Sequence, residues 1–576
     1  MKKTGAWLTV YALEQLGVRY TFGIPGVHNT EIYDELNKSD QITPVLVTHE
    51  GGGAFMADAV SRTTEQTGCM VIVPAAGLTH AMSGIGEAYL AGIPMLVITG
   101  GIRTDSGRSY QLHDMDQHAM LAGITKKSVK VETHEEIVPV IFSAFQTAVT
   151  GEPGPVCVEI PVNLQLFLGE VETLPVYTPK RVVPVADPSS MAKAVKFLSR
   201  AKKPGILAGW GARDAVASLI QLAEKLGAPV ATSLQGLGVF PGNHPLHAGM
   251  GFGDYAVPAA EEAFRNCDLL FAVGVRFGEI ATGSFGMNVP ENLIHADINE
   301  EVFHRNYPAS VTLHGDASEV VASLLHELKD VQQESRRKET ENIIAAGKKK
   351  YRDEWEHEVG EKRVNPWLFF SELRKQLGDD AIVVADDGNH TFLTAELMEI
   401  RNSGQFISPT DFNCMGYCVP AAIGARIGNP GKQVVGICGD GAFLMTGMEL
   451  LTAVKMNAGV VIFIFNDGEL SQISQGQKIP YNRKVCTQLG KVNFEGMALA
   501  TGAEYIRLDE NSQIRKAIEM ALYASASGKP VIADIAIDYS KATRFTKGIV
   551  KTNLSRFPLS EKVRFISRAV IRKITG

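Results

Sequence analysis

The feature that most constrains this chain is the alternation of short apolar runs, rich in β-branched residues, with stretches of helical periodicity. Runs 71–73, 95–99, 156–160 and 382–384 are examples. They are too short for helices and lack the in-out alternation of a half-exposed strand, so they read as strands buried on both faces. Strands of that kind, separated by helical segments, predict an α/β protein of doubly wound parallel sheets with helices on both sides. Two composition changes interrupt the pattern. Residues 166–186 carry Pro175, Pro179 and Pro184 without periodicity and read as a linker, and 329–362 is dense in Lys, Arg and Glu and reads as a solvated helix and connector. Three blocks remain, 1–165, 187–328 and 366–540, each expected to be a domain, followed by 541–576, where ten Lys/Arg face one acid, Glu561.

Composition narrows the classes of function. Apolar residues make up 45% and charged residues 21%, which excludes global disorder. The net charge of −7 argues against nucleic acid and for small molecules or proteins as partners. Seven cysteines without a CxxC pair fit a reducing, cytoplasmic setting and neither a disulfide framework nor a zinc site. Lys2 and Lys3 precede an apolar start, but Glu14 and Gln15 break it and Ala6, Val10 and Leu13 recur at helical spacing, so a first helix is expected and a signal peptide is not. No apolar run reaches the ~18 residues of a membrane-spanning helix.

GxSxG, HExxH and Walker A signatures are absent. Gly209-Trp210-Gly211 follows an apolar run but lacks a third glycine and reads as a packing turn. More informative are two runs, 433–438 and 460–465, that end in Gly439-Asp440-Gly441 and Asn466-Asp467-Gly468. Carboxylates at neighbouring strand ends open into the ligand crevice of a parallel sheet and suit Mg²⁺; the plainer alternative is a pair of helix N-caps.

This pairing resembles the metal-diphosphate motif of thiamine diphosphate enzymes of the acetolactate synthase and pyruvate oxidase group, and the resemblance runs from residue 4 to about 538. It implies three domains, for the pyrimidine, a central Rossmann-like fold and the diphosphate. It implies that Asp440, Asp467 and the Glu469 backbone carbonyl bind Mg²⁺ or Ca²⁺, with Gly439, Gly441 and Ala442 beside the diphosphate. Asp387-Gly388-Asn389-His390 resembles the turn whose Asn389 and His390 touch the diphosphate. Asn413-Cys414-Met415-Gly416-Tyr417 resembles the segment whose Met415 bends the cofactor and whose Asn413 carbonyl accepts the 4′-amino hydrogen. His49-Glu50-Gly51-Gly52-Gly53 resembles the segment of the catalytic glutamate, so Glu50 is expected to hydrogen-bond N1′ and favour the imino tautomer that removes the C2 proton. That role needs a carboxyl kept protonated by desolvation. Gly26, Val27 and His28 fall on the turn over the thiazolium, and Gln117 where the family has its active-site glutamine. Of His28, His49, His113 and His118, at least two are expected to be structural.

Three departures accompany these matches. Pro74-Ala75-Ala76-Gly77-Leu78-Thr79-His80 replaces the usual Gly-Pro-Gly-x-Thr-Asn, while Ile280 and Gly476 stand where acetohydroxyacid synthases place the Arg and Trp of the acceptor pocket. A roomier, less cationic pocket accepting bulky acyl groups is expected, and Gly26-Val27-His28 is similar to the guanidino-oxopentanoate decarboxylase branch. The expected activity is decarboxylation of a 2-oxo acid with transfer of the acyl unit to an acceptor carbonyl, in a homodimer or homotetramer with its active site between subunits. The rivals are simple decarboxylation to an aldehyde, an FAD-dependent pyruvate oxidase (FAD is possible and not expected) and, last, a non-enzymatic homologue. In 559–574, Leu559, Val563, Ile566, Val570 and Ile574 share one helical face with Arg564, Arg568, Arg572 and Lys573 largely off it. This pattern fits peripheral contact with an anionic membrane, and docking on the protein's own surface weighs about equally. Among similar pyruvate oxidases, one has a lipid-binding C-terminal segment.

Overall fold

A computed structural model describes residues 1–357 and 363–575, except the side chains of 357, 479, 480, 573 and 575. Three six-stranded parallel sheets carry the fold, each built from one of the apolar-run blocks. The first has the spatial order Thr43–Leu46, Tyr20–Gly23, Gly68–Ile72, Met95–Gly101, Pro155–Pro161, Lys127–Lys130. The second centres on Pro204–Ala208 and the third on Val434–Gly439. In the third sheet the chain passes from Ile382–Ala385 outward to Phe406–Ile407 and then back across to Val434–Gly439. The order of strands therefore reverses between Ile382–Ala385 and Val434–Gly439, and a crevice opens at their carboxyl ends.

Glycines fix two close approaches. A Cβ at Gly209 would lie 2.1 Å from the Gly274 carbonyl, so Gly209-Trp210-Gly211 is a packing turn. A Cβ at Gly424 would lie 2.4 Å from the Met56 carbonyl, which lets the helix Cys418–Gly428 of the third unit press directly on Glu50–Thr63 of the first.

Three sequence expectations change. The charge-dense stretch 329–362 is not simply a solvated helix. Within Glu334–His357, the residues Thr340, Ile344, Gly347, Tyr351 and Trp355 form one narrow stripe; Ile344 and Trp355 are fully buried, and Gly347 packs on Ala259. High charge on the remaining faces hides that stripe from an average, and 358–362 lie outside the described residues. The linker 166–186 is not wholly irregular, because Leu168–Glu170 pairs antiparallel with Lys2–Thr4. Nor is 541–576 a uniform tail: in the helix Arg544–Arg556, Phe545 is fully buried and stacks on Phe392 at 4.3 Å. The following helix, Leu559–Thr575, lies on Ser471–Tyr481, where Arg568 and Arg572 sit over the Tyr481 ring. The side chain of Lys573 is outside the described set.

The contact between the first and third units encloses charge. Arg62 bonds Asp58 at 2.7 Å and approaches Glu87 at 3.4 Å, and the Tyr417 hydroxyl donates to Asp58 at 2.6 Å. Arg62, Asp58 and Glu87 are fully buried, and burial pushes the Glu87 carboxyl up to about 7 against the lowering by Arg62. Replacing Arg62 by Ala leaves two buried acids without their cation, so Arg62→Ala should destabilise the protein by about 3–5 kcal/mol, measured by denaturant unfolding.

Candidate active site

Val434–Gly439 and Val461–Phe465 are adjacent and in register, Gly439 opposite Phe465, so Asp440 and Asp467 leave the sheet at the same edge. Asp440 Oδ2 accepts the Gly468 N–H at 2.7 Å, which ties the first carboxylate to the second turn, and Asp467 accepts a hydrogen bond from the Ser471 hydroxyl. Burial pushes Asp440 up to about 6, and the neighbouring Asp467 charge adds to the rise; Asp467 is raised by burial as well. The Glu469 side chain is engaged elsewhere, by Lys484 and Ser474, which hold its carboxyl below the usual range. Its backbone is fixed by a bridge to Gln488, flanked by Leu470 N–H to Thr487 O at 2.7 Å and Leu489 N–H to Gly468 O at 2.9 Å. Among the described residues, no three His, Cys, Asp or Glu side chains are placed to hold a metal. A cation between Asp440 and Asp467 would therefore need backbone and ligand oxygens to complete its shell.

The pocket at this edge is also lined by Asp387, Gly388, Asn389, His390, Met415, Gly439, Gly441 and Ala442. His390 is buried, and burial drives its pKa down to about 3. Its Nε2 has no partner, a polar atom that a bound acceptor would satisfy. A Cβ at Gly388, where φ is 147°, would lie 2.6 Å from the ring, so glycine makes the space His390 occupies. Asn389 reaches Gln475 at 3.4 Å. Met415 is positioned through its neighbours: buried Asp386 accepts the Gly416 and Cys418 N–H groups at 2.9 and 2.7 Å. Asn413 takes a left-handed φ of 66° beside Asp387.

The remaining expected site residues form a second group, in the first unit. Glu50 is 6% exposed at the start of its helix, with Oε2 3.0 Å from His80 Nδ1. His49 Nδ1 accepts the Gly51 N–H at 3.1 Å. Gly26 donates to Asn29 Oδ1 at 2.7 Å, Val27 is exposed, and His28 meets His113 with Nδ1 atoms 3.1 Å apart; burial, then His113, lowers the His28 pKa. Gln117 is buried and its amide is occupied, donating to Glu159 at 2.9 Å and accepting from Thr99 at 3.2 Å. His118 is held by Ser128 at 2.7 Å. None of Glu50, Gln117 or Gly26 to His28 lines the Asp440 pocket.

Three family profiles match: the N-terminal TPP binding domain of thiamine pyrophosphate enzymes at 3–120, their central domain at 191–324 and their C-terminal TPP binding domain at 386–535. The chain belongs to the thiamine pyrophosphate enzyme family. Among its relatives, a probable acetolactate synthase large subunit of Methanocaldococcus jannaschii is 32% identical, covering 93% of this chain and 92% of that one. The acetolactate synthase large subunit of Corynebacterium glutamicum is 32% identical, covering 93% and 87%. Acetolactate synthase isozyme 1 large subunit of Escherichia coli is 29% identical, covering 90% and 91%. The two groups of residues described above thus lie within the two TPP-binding domains of this family member.

Sequence reasoning missed Glu449. Buried at 2% exposure, it accepts the Thr48 and His49 N–H groups at 3.1 and 3.0 Å and the Thr452 hydroxyl at 2.9 Å, bridging from the C-terminal domain to the turn that presents Glu50. The only sequence signal is an acid among apolar residues, nine positions after Asp440. Ile280 lines, with Arg276, a cavity shared by all three units, and Gly476 is exposed on the helix Ser471–Tyr481; neither lines the Asp440 pocket of this chain. A Cβ at Gly52 would lie 2.4 Å from Glu449 Oε1. Gly52→Ala should displace that carboxylate and lose its backbone bonds, costing about 1–3 kcal/mol. That cost should outweigh a helix-propensity gain of about 1 kcal/mol, so the unfolding midpoint should fall.

Proposed function

We propose that this family member is an acetolactate synthase-like enzyme that decarboxylates a 2-oxo acid and transfers the acyl unit to an acceptor carbonyl, using thiamine diphosphate and Mg²⁺ or Ca²⁺. The observation that carries the reading is the convergence of Asp440, Asp467 and the unpartnered Nε2 of His390 in one pocket. One buried and one half-buried carboxylate at one edge, each with raised pKa, fit a divalent cation that shares its shell with phosphate oxygens. His390 Nε2 supplies an N–H donor for that phosphate end. Met415 and Asn413, held through Asp386 and Asp387, form the wall for an organic ring. When bound, thiamine diphosphate supplies the electron sink for the carbanion left by CO₂ loss. Glu50 holds and moves a proton at its carboxyl, which is buried at 6% exposure.

Glu50 and the Asp440 pocket do not meet within one chain, so the reading includes a homodimer or homotetramer in which each pocket is completed by the partner's Glu50 group. Uncovered apolar side chains on both groups support it: Val27, Tyr110 and Met115 near His28 and His113, and Leu444, Met445 and Met448 beyond Asp440. A cytoplasmic setting is part of the same proposal; among the described residues no helix is long and apolar enough to cross a membrane. The deciding experiment is mass spectrometry of products from a 2-oxo acid panel with thiamine diphosphate and Mg²⁺. A carboligated 2-hydroxy-3-oxo acid is expected; aldehyde alone would make the enzyme a simple decarboxylase. Glu50→Gln should fold and bind the cofactor yet lose C2 proton exchange by about 10²–10⁴-fold, followed by NMR.

A second element of the proposal concerns the last helix. It docks through Phe565, Ala569 and Arg572, and Ile566 and Val570 also line the cavity against Lys478 and Asn482; Leu559, Val563, Ile566, Val570 and Ile574 are nonetheless all at least half exposed, with Arg564 beside them. An exposed apolar stripe flanked by cations fits reversible contact with an anionic bilayer, to which each basic residue adds about 1 kcal/mol. Full-length protein should co-sediment with anionic vesicles more than a version ending at Phe557, which keeps the docked helix Arg544–Arg556. Equal binding by both would remove the membrane role.

A further inference from the structure

The turn from Pro74 to His80, where this chain departs from the family pattern, packs directly against Glu50. Ala75 adopts a left-handed φ of 53°, a strained conformation for a residue with a Cβ, and opens the helix Ala76–Ala91. That turn brings two different residues to the two carboxyl oxygens. At Gly77 a Cβ would lie 3.1 Å from Glu50 Oε1, so glycine leaves that oxygen clear. At His80 the ring Nδ1 lies 3.0 Å from Oε2. The imidazole is itself held: it stacks on His49, with centroids 4.6 Å apart and planes 25° apart, and His49 is fixed by its bond from the Gly51 N–H. The Glu50 side chain is 8% exposed while that of His80 is 50% exposed, so the ring stands between the carboxyl and the outside of the chain.

We propose that His80 is a positioning residue for Glu50: its Nδ1–H donates to Oε2, fixing the carboxyl rotamer and leaving Oε1, beside Gly77, as the oxygen through which Glu50 exchanges its proton. The proton leaves and returns at Oε1, and His80 keeps its own. A carboxyl with one oxygen committed to a donor has a single orientation in which to meet a reacting ring nitrogen. Misplacement by a rotamer change would slow proton transfer without weakening cofactor binding. The inference rests on the reading of Glu50 as the proton-transfer group.

The test compares His80→Phe, which keeps the stacking and loses the donor, with His80→Asn, which restores an N–H. In full-length protein with thiamine diphosphate and Mg²⁺, His80→Phe should slow C2 proton exchange about 10–100-fold with cofactor Kd within about threefold of wild type, and His80→Asn should recover most of the rate. In the Glu50→Gln background, His80→Phe should change nothing further. Without cofactor, the thermal midpoint shifts of Glu50→Gln and His80→Phe should be non-additive in the double variant, as for residues in contact. Wild-type exchange in His80→Phe, or additive midpoint shifts, would overturn the His80 role while leaving that of Glu50 intact. Wild-type exchange in Glu50→Gln alone would overturn both.

Discussion

The interlock of two helices from different domains, Glu50–Thr63 and Cys418–Gly428, is the constraint on which the rest of the structure depends. Their backbones touch because Gly424 has no side chain, and the contact is closed by a buried cation, Arg62, between Asp58 and Glu87. Each helix carries a segment of the candidate site at one end. The first begins at Glu50; the second follows Tyr417, which bonds Asp58 and lies two residues after Met415. A shift at this seam would move both Glu50 and the wall of the Asp440 pocket. Glu449 adds a second tie, from the helical run that starts at Asp440 to the two N–H groups preceding Glu50.

The second organising constraint is electrostatic. Parallel strands place their carboxyl ends together, and here those ends carry Asp386, Asp387, Asp440 and Asp467 in a largely apolar surround. Asp386 accepts the Gly416 and Cys418 N–H groups and pins the Met415 segment, whereas Asp440 accepts the Gly441 and Gly468 N–H groups and so ties its own turn to that of Asp467. The backbone donors thus fix where each carboxylate sits, and Asp440 and Asp467 share one pocket at the sheet edge. Glu469, next to them in sequence, is neutralised by Lys484 and takes no part through its side chain.

Much of the fold was legible. Buried strands such as Val434–Gly439 are apolar on both faces and announce a parallel sheet without any knowledge of contacts. The carboxylates at neighbouring strand ends were legible too, because strand ends and turn glycines are local features. Other features were not. The buried stripe of Glu334–His357 is diluted by charge on its other faces, and the docking of Phe545 on Phe392 depends on a partner 153 positions away. Gln117 matched a family position, yet its amide is spent on Thr99 and Glu159, a choice made by packing.

Sequence by itself determined the sheets, the order of the domains and the chemistry available at each turn, since periodicity, glycine placement and strand-end carboxylates are set by covalent neighbours. Tertiary structure alone decided which of those groups meet. It joined His80 to Glu50, Glu449 to the Thr48 and His49 backbone, and Tyr417 to Asp58, and it left Glu50 outside the Asp440 pocket of its own chain. The physical reason is that these pairings form across distances of 30 to 401 residues, where only the close packing of helices against sheets fixes which polar atoms can satisfy one another.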